Sequence, residues 1–560
     1  MPVYEIVPVS SLEKIFPDSD PSACEPIDVV QGLAGETVSF QLAYRVRRTD
    51  AAPRIEDTTA RVEVTGALAE RVRLRAVRAV PVEFAAYPHS DDAFISHDPG
   101  LYPDLLQDTD GLVGGVPGLW RSLWVDVELP DMAEAAALGD SVLSFAFVPL
   151  GEGERTHVDV TVRRIPAALP EQTLMHTEWL HADCLAQYYG VPVFSEEHWR
   201  ILENFIALAV RRGVTMIYTP LFTPPLDTVV GGERPTTQLV GVERHGDDWS
   251  FDFALFERWV AMCRRCGVRW FEMSHLFTQW GAAHSPKVVA RVDGVERRVF
   301  GWDTDATDPR EAYAAFLAAF LPALDRELKA LGIAGDTVFH ISDEPSADNL
   351  DTYLKAKAIV APYLKDYRVM DALSHIEFYQ SGACEHPVPA ADAIEPFVEA
   401  GVEGLWTYYC CAQSRDVPNR FMAMPSWRNR VLGFLLYAYD LAGFLHWGYD
   451  FYNTQYSMRP INPYVEPAGP EGFPAGDAFL VYPGRGGLPE ESMRGMVLAQ
   501  AMNDLRACRL LESLRGREFT LSLINEGLDE SIRFAHHPHS AAWLLDRRRA
   551  LDEAIAAALA

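Results

Sequence analysis

From the N-terminus to about Arg164 the chain alternates apolar and polar residues with a period of two. Val38-Ser-Phe-Gln-Leu-Ala-Tyr44, Arg61-Val-Glu-Val64, Arg73-Leu-Arg-Ala-Val-Arg-Ala-Val80, Leu123-Trp-Val-Asp-Val-Glu-Leu129 and His157-Val-Asp-Val-Thr-Val162 all carry the pattern. Such strands bury one face and wet the other. With Pro/Gly turns and no helical crossover between them, they predict an antiparallel β-sandwich over residues 1–165. Beyond the link Ile165-Pro-Ala-Ala-Leu-Pro170 the rhythm changes. Short apolar runs at Met175–His181, Thr215–Leu221, Trp270–Leu276, Val338–Ser342, Arg368–Leu373, Gly404–Tyr409 and Gly443–Trp447 alternate with helix-period segments at Glu196–Arg212, Phe253–Cys266, Pro309–Leu331, Asn349–Leu364 and Trp427–Asp440. Ser195 offers an N-cap, and Gly213 and Gly267 stop two of the helices. Seven strands, with a weak eighth near Ala383–Pro389, predict a (β/α)8 TIM-type barrel over residues 171–515. A C-terminal helical extension, residues 516–560, completes a multidomain chain.

Composition narrows the partners. The formal net charge of −30 repels phosphate backbones and anionic lipid heads, so neither nucleic acid nor a membrane surface is expected. The longest apolar run, Val431–Trp447, is broken by Asp440 and is too short to span a bilayer. No signal-peptide pattern opens the chain, and the eight cysteines are scattered, so a reduced cytoplasmic protein is expected. Cys263 and Cys266 lack a second pair at ribbon spacing and read as ordinary helix residues. No ligand set points to a metal, and no cofactor motif is present. The pattern leaves oligomeric state open.

The sharpest chemical feature is Val338-Phe-His-Ile-Ser-Asp-Glu-Pro345, where an apolar strand runs into two adjacent carboxylates. In a parallel barrel that end of a strand opens onto the active-site face. Neighbouring carboxyl groups push their apparent pKa values apart, which supplies the protonated acid and the anion that glycoside cleavage uses. Consecutive strand residues face opposite ways, so Asp343 and Glu344 reach one substrate only if the chain bends at Pro345. An acidic N-cap pair for the following helix is the alternative.

Other strand ends repeat a polar and aromatic composition. Trp406 and Tyr408, and Trp447 and Tyr449, alternate and can share a face; Trp179, His181 and Asp183 are likewise two apart. His275, Gln279 and Trp280 leave the Phe271 strand into a loop, and Arg420 follows the Trp406 strand. Flat rings suit the C–H faces of a pyranose, and polar side chains suit its hydroxyls, although core packing would demand the same residues.

These residues resemble glycoside hydrolase family 123 and its relatives, the β-N-acetylgalactosaminidases. The resemblance rests on Gly35-Glu-Thr-Val-Ser-Phe-Gln-Leu42, Pro99-Gly-Leu-Tyr-Pro-Asp104 and Leu123-Trp-Val125 in the sandwich. In the barrel it rests on His275-Leu-Phe-Thr-Gln-Trp-Gly281, Ser342-Asp-Glu-Pro345, the stretch from Trp406-Thr-Tyr-Tyr-Cys-Cys411 to Pro418-Asn-Arg-Phe421, and Gly443-Phe-Leu-His-Trp447. It implies an exo-acting hydrolase that releases terminal β-linked N-acetylgalactosamine with retention, the sugar's acetamido oxygen serving as nucleophile. Asp343 would stabilise the acetamido group and Glu344 would act as general acid and base. A small-molecule glycan is the implied partner. Two alternatives stand beside this one. The first is a hydrolase of another sugar, either a β-N-acetylglucosaminidase or a conventional retaining enzyme with a separate nucleophile such as Asp371. The second is a non-catalytic carbohydrate-binding protein.

Overall fold

The computed structural model describes residues 3–24, 27–47, 55–134, 140–469 and 472–559. They form two compact units. One comprises Met1–Gln172, Pro418–Ala438 and Glu490–Ala560; the other comprises Thr173–Val417 and Tyr439–Pro489.

The first unit carries the sandwich. One sheet runs in the order Tyr4–Ser10, Thr37–Val46, Arg121–Glu128, Val72–Val82 and Gly100–Asp108, all antiparallel. The other runs Val29–Ala34, Thr156–Ala168, Ser141–Pro149, Thr59–Thr65 and Leu112–Gly114. Its first two strands pair in parallel, an exception to the antiparallel expectation. The alternating residues of the two sheets meet in one core: Phe40, Leu42, Leu123 and Val125 from one face, Phe145, Phe147, Val160 and Val162 from the other.

This unit also holds the helices Ser426–Arg430, Leu432–Ala438, Met493–Arg515, Arg517–Ile524 and Ala541–Leu559. The linear boundaries 1–165, 171–515 and 516–560 therefore do not coincide with the compact units. The reason is packing among these helices themselves. A side-chain carbon on Gly433 would lie 2.0 Å from the Ala501 carbonyl oxygen, so the two backbones approach closely. Asp504 accepts from Arg430 at 2.8 Å and from Arg548 at 3.0 Å.

The second unit is built on eight parallel strands: β1 (Met175–Glu178), β2 (Met216–Thr219), β3 (Trp270–Met273), β4 (Thr337–Phe339), β5 (Arg368–Ala372), β6 (His386–Val388), β7 (Trp406–Tyr408) and β8 (Gly443–His446). Sequential neighbours from β1 to β6 pair, β8 pairs with both β1 and β7, and every pairing is parallel. Between β6 and β7 the seam is a single parallel bridge, Ala390 to Tyr408, which brings the sheet round to a nearly closed barrel. The weak eighth strand is real but only three residues long. Met216, Tyr218, Val338, Met370, Val388, Trp406 and Leu445 fill the interior. Gly443 is required beside Trp406: a side-chain carbon there would come within 2.0 Å of the indole.

Helices Glu196–Arg211, Ala254–Cys266, Ala312–Ala330 and Leu350–Leu364 lie between the strands. Ser195 caps the first by accepting from the His198 amide, and left-handed Gly267 ends the second. A four-stranded sheet, Gly241–His245, Asp248–Asp252, Val288–Val292 and Val295–Phe300, is an addition that the periodicity does not predict. No helix among the described residues is long and apolar enough to cross a membrane.

Candidate active site

The chain leaves the sheet after Phe339, so Asp343 and Glu344 lie on a turn four and five residues beyond β4. Main-chain bonds fix this turn. The amides of Leu276, Phe277 and Trp280 donate to the carbonyls of His340, Ile341 and Asp343 at 3.2, 3.0 and 2.9 Å, and the Glu344 amide donates to Ala372 at 3.0 Å. Ser342 Oγ donates to the Thr278 carbonyl at 2.8 Å. Glu344 has φ +44°, a left-handed conformation that costs a non-glycine residue about 1–2 kcal/mol. Off the sheet, the strict alternation of a strand no longer applies, and both acids line one cavity.

That cavity measures about 770 Å³ including its open mouth, the size of a ligand pocket. Trp179, Tyr408, Trp447 and Phe473 supply rings, and Trp280 and Tyr456 meet edge to face at 5.9 Å. Trp280 is 40% exposed, which leaves part of its ring open to a ligand. Tyr408 donates to Glu344 Oε1 at 2.7 Å, and Trp447 Nε1 donates to Asp477 Oδ2 at 3.0 Å.

Burial raises both acids. The Asp343 carboxyl is held well above the usual carboxylate range, first by burial and then by the charge of Glu344; His340 opposes the shift. Glu344 is also raised by burial, against the Tyr408 hydrogen bond and with the help of Asp477. A third acid lines the cavity. Asp227 is pushed up to about 7 by burial, although the Tyr456 amide and Arg234 pull it down.

A buried polar network lies next to this turn. Glu272, wholly buried, accepts from Thr177 Oγ1, from Trp179 Nε1 at 2.8 Å and from His340 Nε2 at 2.7 Å. His340 Nδ1 is 3.3 Å from Asp371 Oδ1. Burial disfavours a charged His340, but the Asp371 and Glu272 carboxylates raise it to about 10. Asp371 Oδ1 accepts the amides of Ile341 and Ser342 at 2.9 and 3.2 Å, and Oδ2 accepts Tyr353 OH at 2.6 Å. His275, His340 and Asp371 bring donor atoms within 4.8 Å of one another, the one cluster of metal-ligand type among the described residues. Both Asp371 oxygens are already engaged by protein donors, so a proton on His340 suffices as the cation between the carboxylates. Asp371 is 0% exposed and does not line the cavity, which removes the geometric basis for a nucleophile there.

Of the residues singled out from the sequence, Asp343, Glu344, Trp179, Gln279, Trp280, Tyr408 and Trp447 come together in the cavity. Six do not line it. His181 takes the N-cap position of helix Ala182–Tyr189, where the two-residue alternation that grouped it with Trp179 has ended. It bonds the Trp447 carbonyl at 2.8 Å, and Asp183 forms a buried two-pronged pair with Arg234 at 2.8 and 2.7 Å. His275 bonds Tyr218 OH at 2.9 Å and stacks on His340 with centroids 4.5 Å apart. Trp406 shares the inward face with Tyr408 but packs in the barrel interior. Tyr449 lies past the end of β8 and donates to the Phe205 carbonyl at 3.0 Å. Arg420 is 1% exposed and belongs to the first unit.

Asp227, Tyr456 and Phe473 were invisible to sequence reasoning because they sit in irregular loops without periodicity. Glu272 did leave a signal: a carboxylate inside a short apolar strand demands buried donors.

Raised acids beside flat apolar rings, at the strand ends of a parallel barrel, are suited to cutting glycosidic bonds, and fold and site together place the chain among the glycoside hydrolases. The family model "Glycoside hydrolase 123, catalytic domain" matches residues 179–511, and the chain belongs to glycoside hydrolase family 123. A family 123 glycoside hydrolase from Clostridium perfringens, whose structure was described in connection with glycolipid glycan hydrolysis, is similar with a TM-score of 0.72 at 12% identity, covering 99% of this chain and 97% of that one. A Parabacteroides merdae β-glucuronidase (TM-score 0.29, 9% identity, 88% and 51% covered) and a family 5 mannosidase from Rhizomucor miehei (0.34, 9%, 62% and 95%) are too distant to bear on the argument. No curated protein matches the sequence significantly.

Proposed function

We propose that this protein is an exo-acting β-N-acetylgalactosaminidase that works with retention through the substrate's own acetamido group. The observation that carries the reading is the placement of Asp343 and Glu344, adjacent in the chain, in one ring-lined cavity. Three carboxyls line this cavity, and Asp227 stands on a separate loop. In the mechanism the acetamido oxygen attacks the anomeric carbon as Glu344 protonates the departing oxygen. Asp343, which must first give up the proton that burial favours, accepts the acetamido N–H as the carboxylate and steadies the positive charge of the oxazolinium intermediate. Glu344, now ionised, takes a proton from water, which opens the intermediate and restores the acid.

The raised pKa of Glu344 favours the protonated form that the first step needs. The charge of Glu344 raises Asp343 in turn, so the protonation of one acid bears on the other. The C. perfringens relative, described as acting on glycolipid glycans, makes a glycan end on a larger aglycone a reasonable natural substrate. The eight cysteines, none of them in a disulfide, fit a cytoplasmic enzyme that receives small glycan pieces.

A panel of aryl β-glycosides tests this. N-acetylgalactosaminide should be cleaved, with the β-anomer as the first product by NMR, and the matching galactoside, which lacks the acetamido group, should be inert. Cleavage of both at similar rates would overturn the substrate-assisted reading. A preference for N-acetylglucosaminide would retain the mechanism and change the sugar.

A further inference from the structure

Asp227 is a carboxylate that the proposed reaction does not use. It lies on the loop after β2, in a left-handed conformation with φ +39°. The loop is held from two sides. Gln279 Oε1 accepts the Asp227 amide at 2.7 Å, Asp227 Oδ2 accepts the Tyr456 amide at 2.9 Å, and Ser457 Oγ donates to the Asp227 carbonyl at 2.7 Å. One oxygen is thus anchored, while no donor among the described residues bonds Oδ1, and the residue lines the cavity. Strained, tethered and only half satisfied, it is arranged like a group awaiting a donor.

The charge of the wall matters as much. Asp227, Asp343 and Glu344 line the cavity, and none of the described lining residues is Lys, Arg or His. The whole chain adds a net charge of −30. A carboxylate oxygen accepts hydroxyl protons but has nothing to offer an anion, and a sulfate or uronate buried here would meet like charge without a counter-cation.

We propose that Asp227 reads the hydroxyls of the bound sugar and excludes anionic ones, so that the substrate class is the neutral, unsulfated N-acetylhexosamine rather than the sulfated or uronic units of acidic polysaccharides. This rests on the function proposed above, and the test separates the two. At pH 8, kcat/KM is measured for p-nitrophenyl N-acetyl-β-galactosaminide and its 6-O-sulfate with wild type and Asp227→Asn, and calorimetry follows the free sugars, N-acetylgalactosamine and its 6-sulfate. The wild type should favour the neutral compound by about 100-fold, the scale of a buried like-charge contact. Asp227→Asn, which keeps the shape but loses the charge, should narrow that ratio by about tenfold and raise KM for the neutral glycoside. Equal handling of the two compounds by wild type, or an unchanged ratio in Asp227→Asn, would overturn the proposal. If no hexosaminide is cleaved, the proposed function falls. Calorimetry then still decides Asp227: selective binding of the neutral sugar, relaxed in the variant, supports it, and equal or absent binding of both sugars overturns it.

Discussion

The Tyr408 hydroxyl donates a 2.7 Å hydrogen bond to Oε1 of Glu344, the group proposed as general acid. This bond lowers the Glu344 pKa against a larger upward push from burial. Tyr408→Phe therefore raises the pKa further. A group that must be protonated to act then stays active to higher pH. The alkaline limb of the kcat/KM profile should move up by about half to one pH unit. A limb that does not move, with only the overall rate changed, would leave Tyr408 as a wall residue.

Glu344→Gln should lose about 100- to 10,000-fold on glycosides with poor leaving groups, while an activated aryl glycoside that needs little protonation keeps most of its rate in the first step. Parallel losses on the two substrate types would count against an acid role for Glu344.

Asp343→Asn separates activity from stability. Its folded pKa is raised, so the folded protein holds a proton there that the unfolded chain releases. Stability contributed at this site falls as pH climbs above the ordinary carboxylate value. The amide has no such penalty. The variant should lose at least about 100-fold in kcat yet melt no lower than wild type at neutral pH, and higher if the penalty is fully relieved. A large fall in melting temperature would show that Asp343 is needed for folding instead.

Asp227 follows the same sign with a value attached. A carboxyl at about 7 in the fold and near 3.8 when free costs stability that grows from about pH 4 and levels off above pH 7. Asp227→Asn should therefore resemble wild type at pH 4 and exceed it by about 2–4 kcal/mol at pH 8, read by denaturant titration at the two pH values.

Asp371 is where removal should hurt most. Asp371→Ala strips the acceptor from the Ile341 and Ser342 amides and leaves His340 without one of its two carboxylates. A loss of about 3–5 kcal/mol is expected, together with about a 100-fold fall in kcat as the Asp343 turn shifts. Asp371→Asn keeps an acceptor oxygen and should fall between wild type and Ala in both. If Ala and Asn behave alike, charge rather than amide anchoring is what Asp371 provides.

Much of this architecture could be read from residue order. The apolar runs located seven barrel strands, and two acids after an apolar run marked the cavity. The eighth strand was faint because His386–Val388 is three residues with proline in the middle, too short to alternate. The sheet from Gly241 to Phe300 escaped because its strands are only five or six residues long and one of them, Val295–Phe300, is mostly exposed and charged. Three of the errors of placement share one origin. Strand alternation was carried past the last strand residue, to His181, Asp183 and Tyr449, where helix or loop geometry had already taken over. The left-handed Glu344 had no signature at all, since nothing about glutamate announces a positive φ.

The tethers of the Asp343–Glu344 turn bear on how such enzymes diverge. Leu276, Phe277, Trp280 and Ala372 hold it through peptide groups, which every residue except proline supplies in full. Apart from Asp371 and Ser342, whose side chains also pin the turn, mutation can therefore rewrite the neighbouring side chains without cutting these tethers of the two acids. That gives a physical route by which a fold can be shared at 12% identity: inheritance acts here on the path of the backbone more than on the letters written along it.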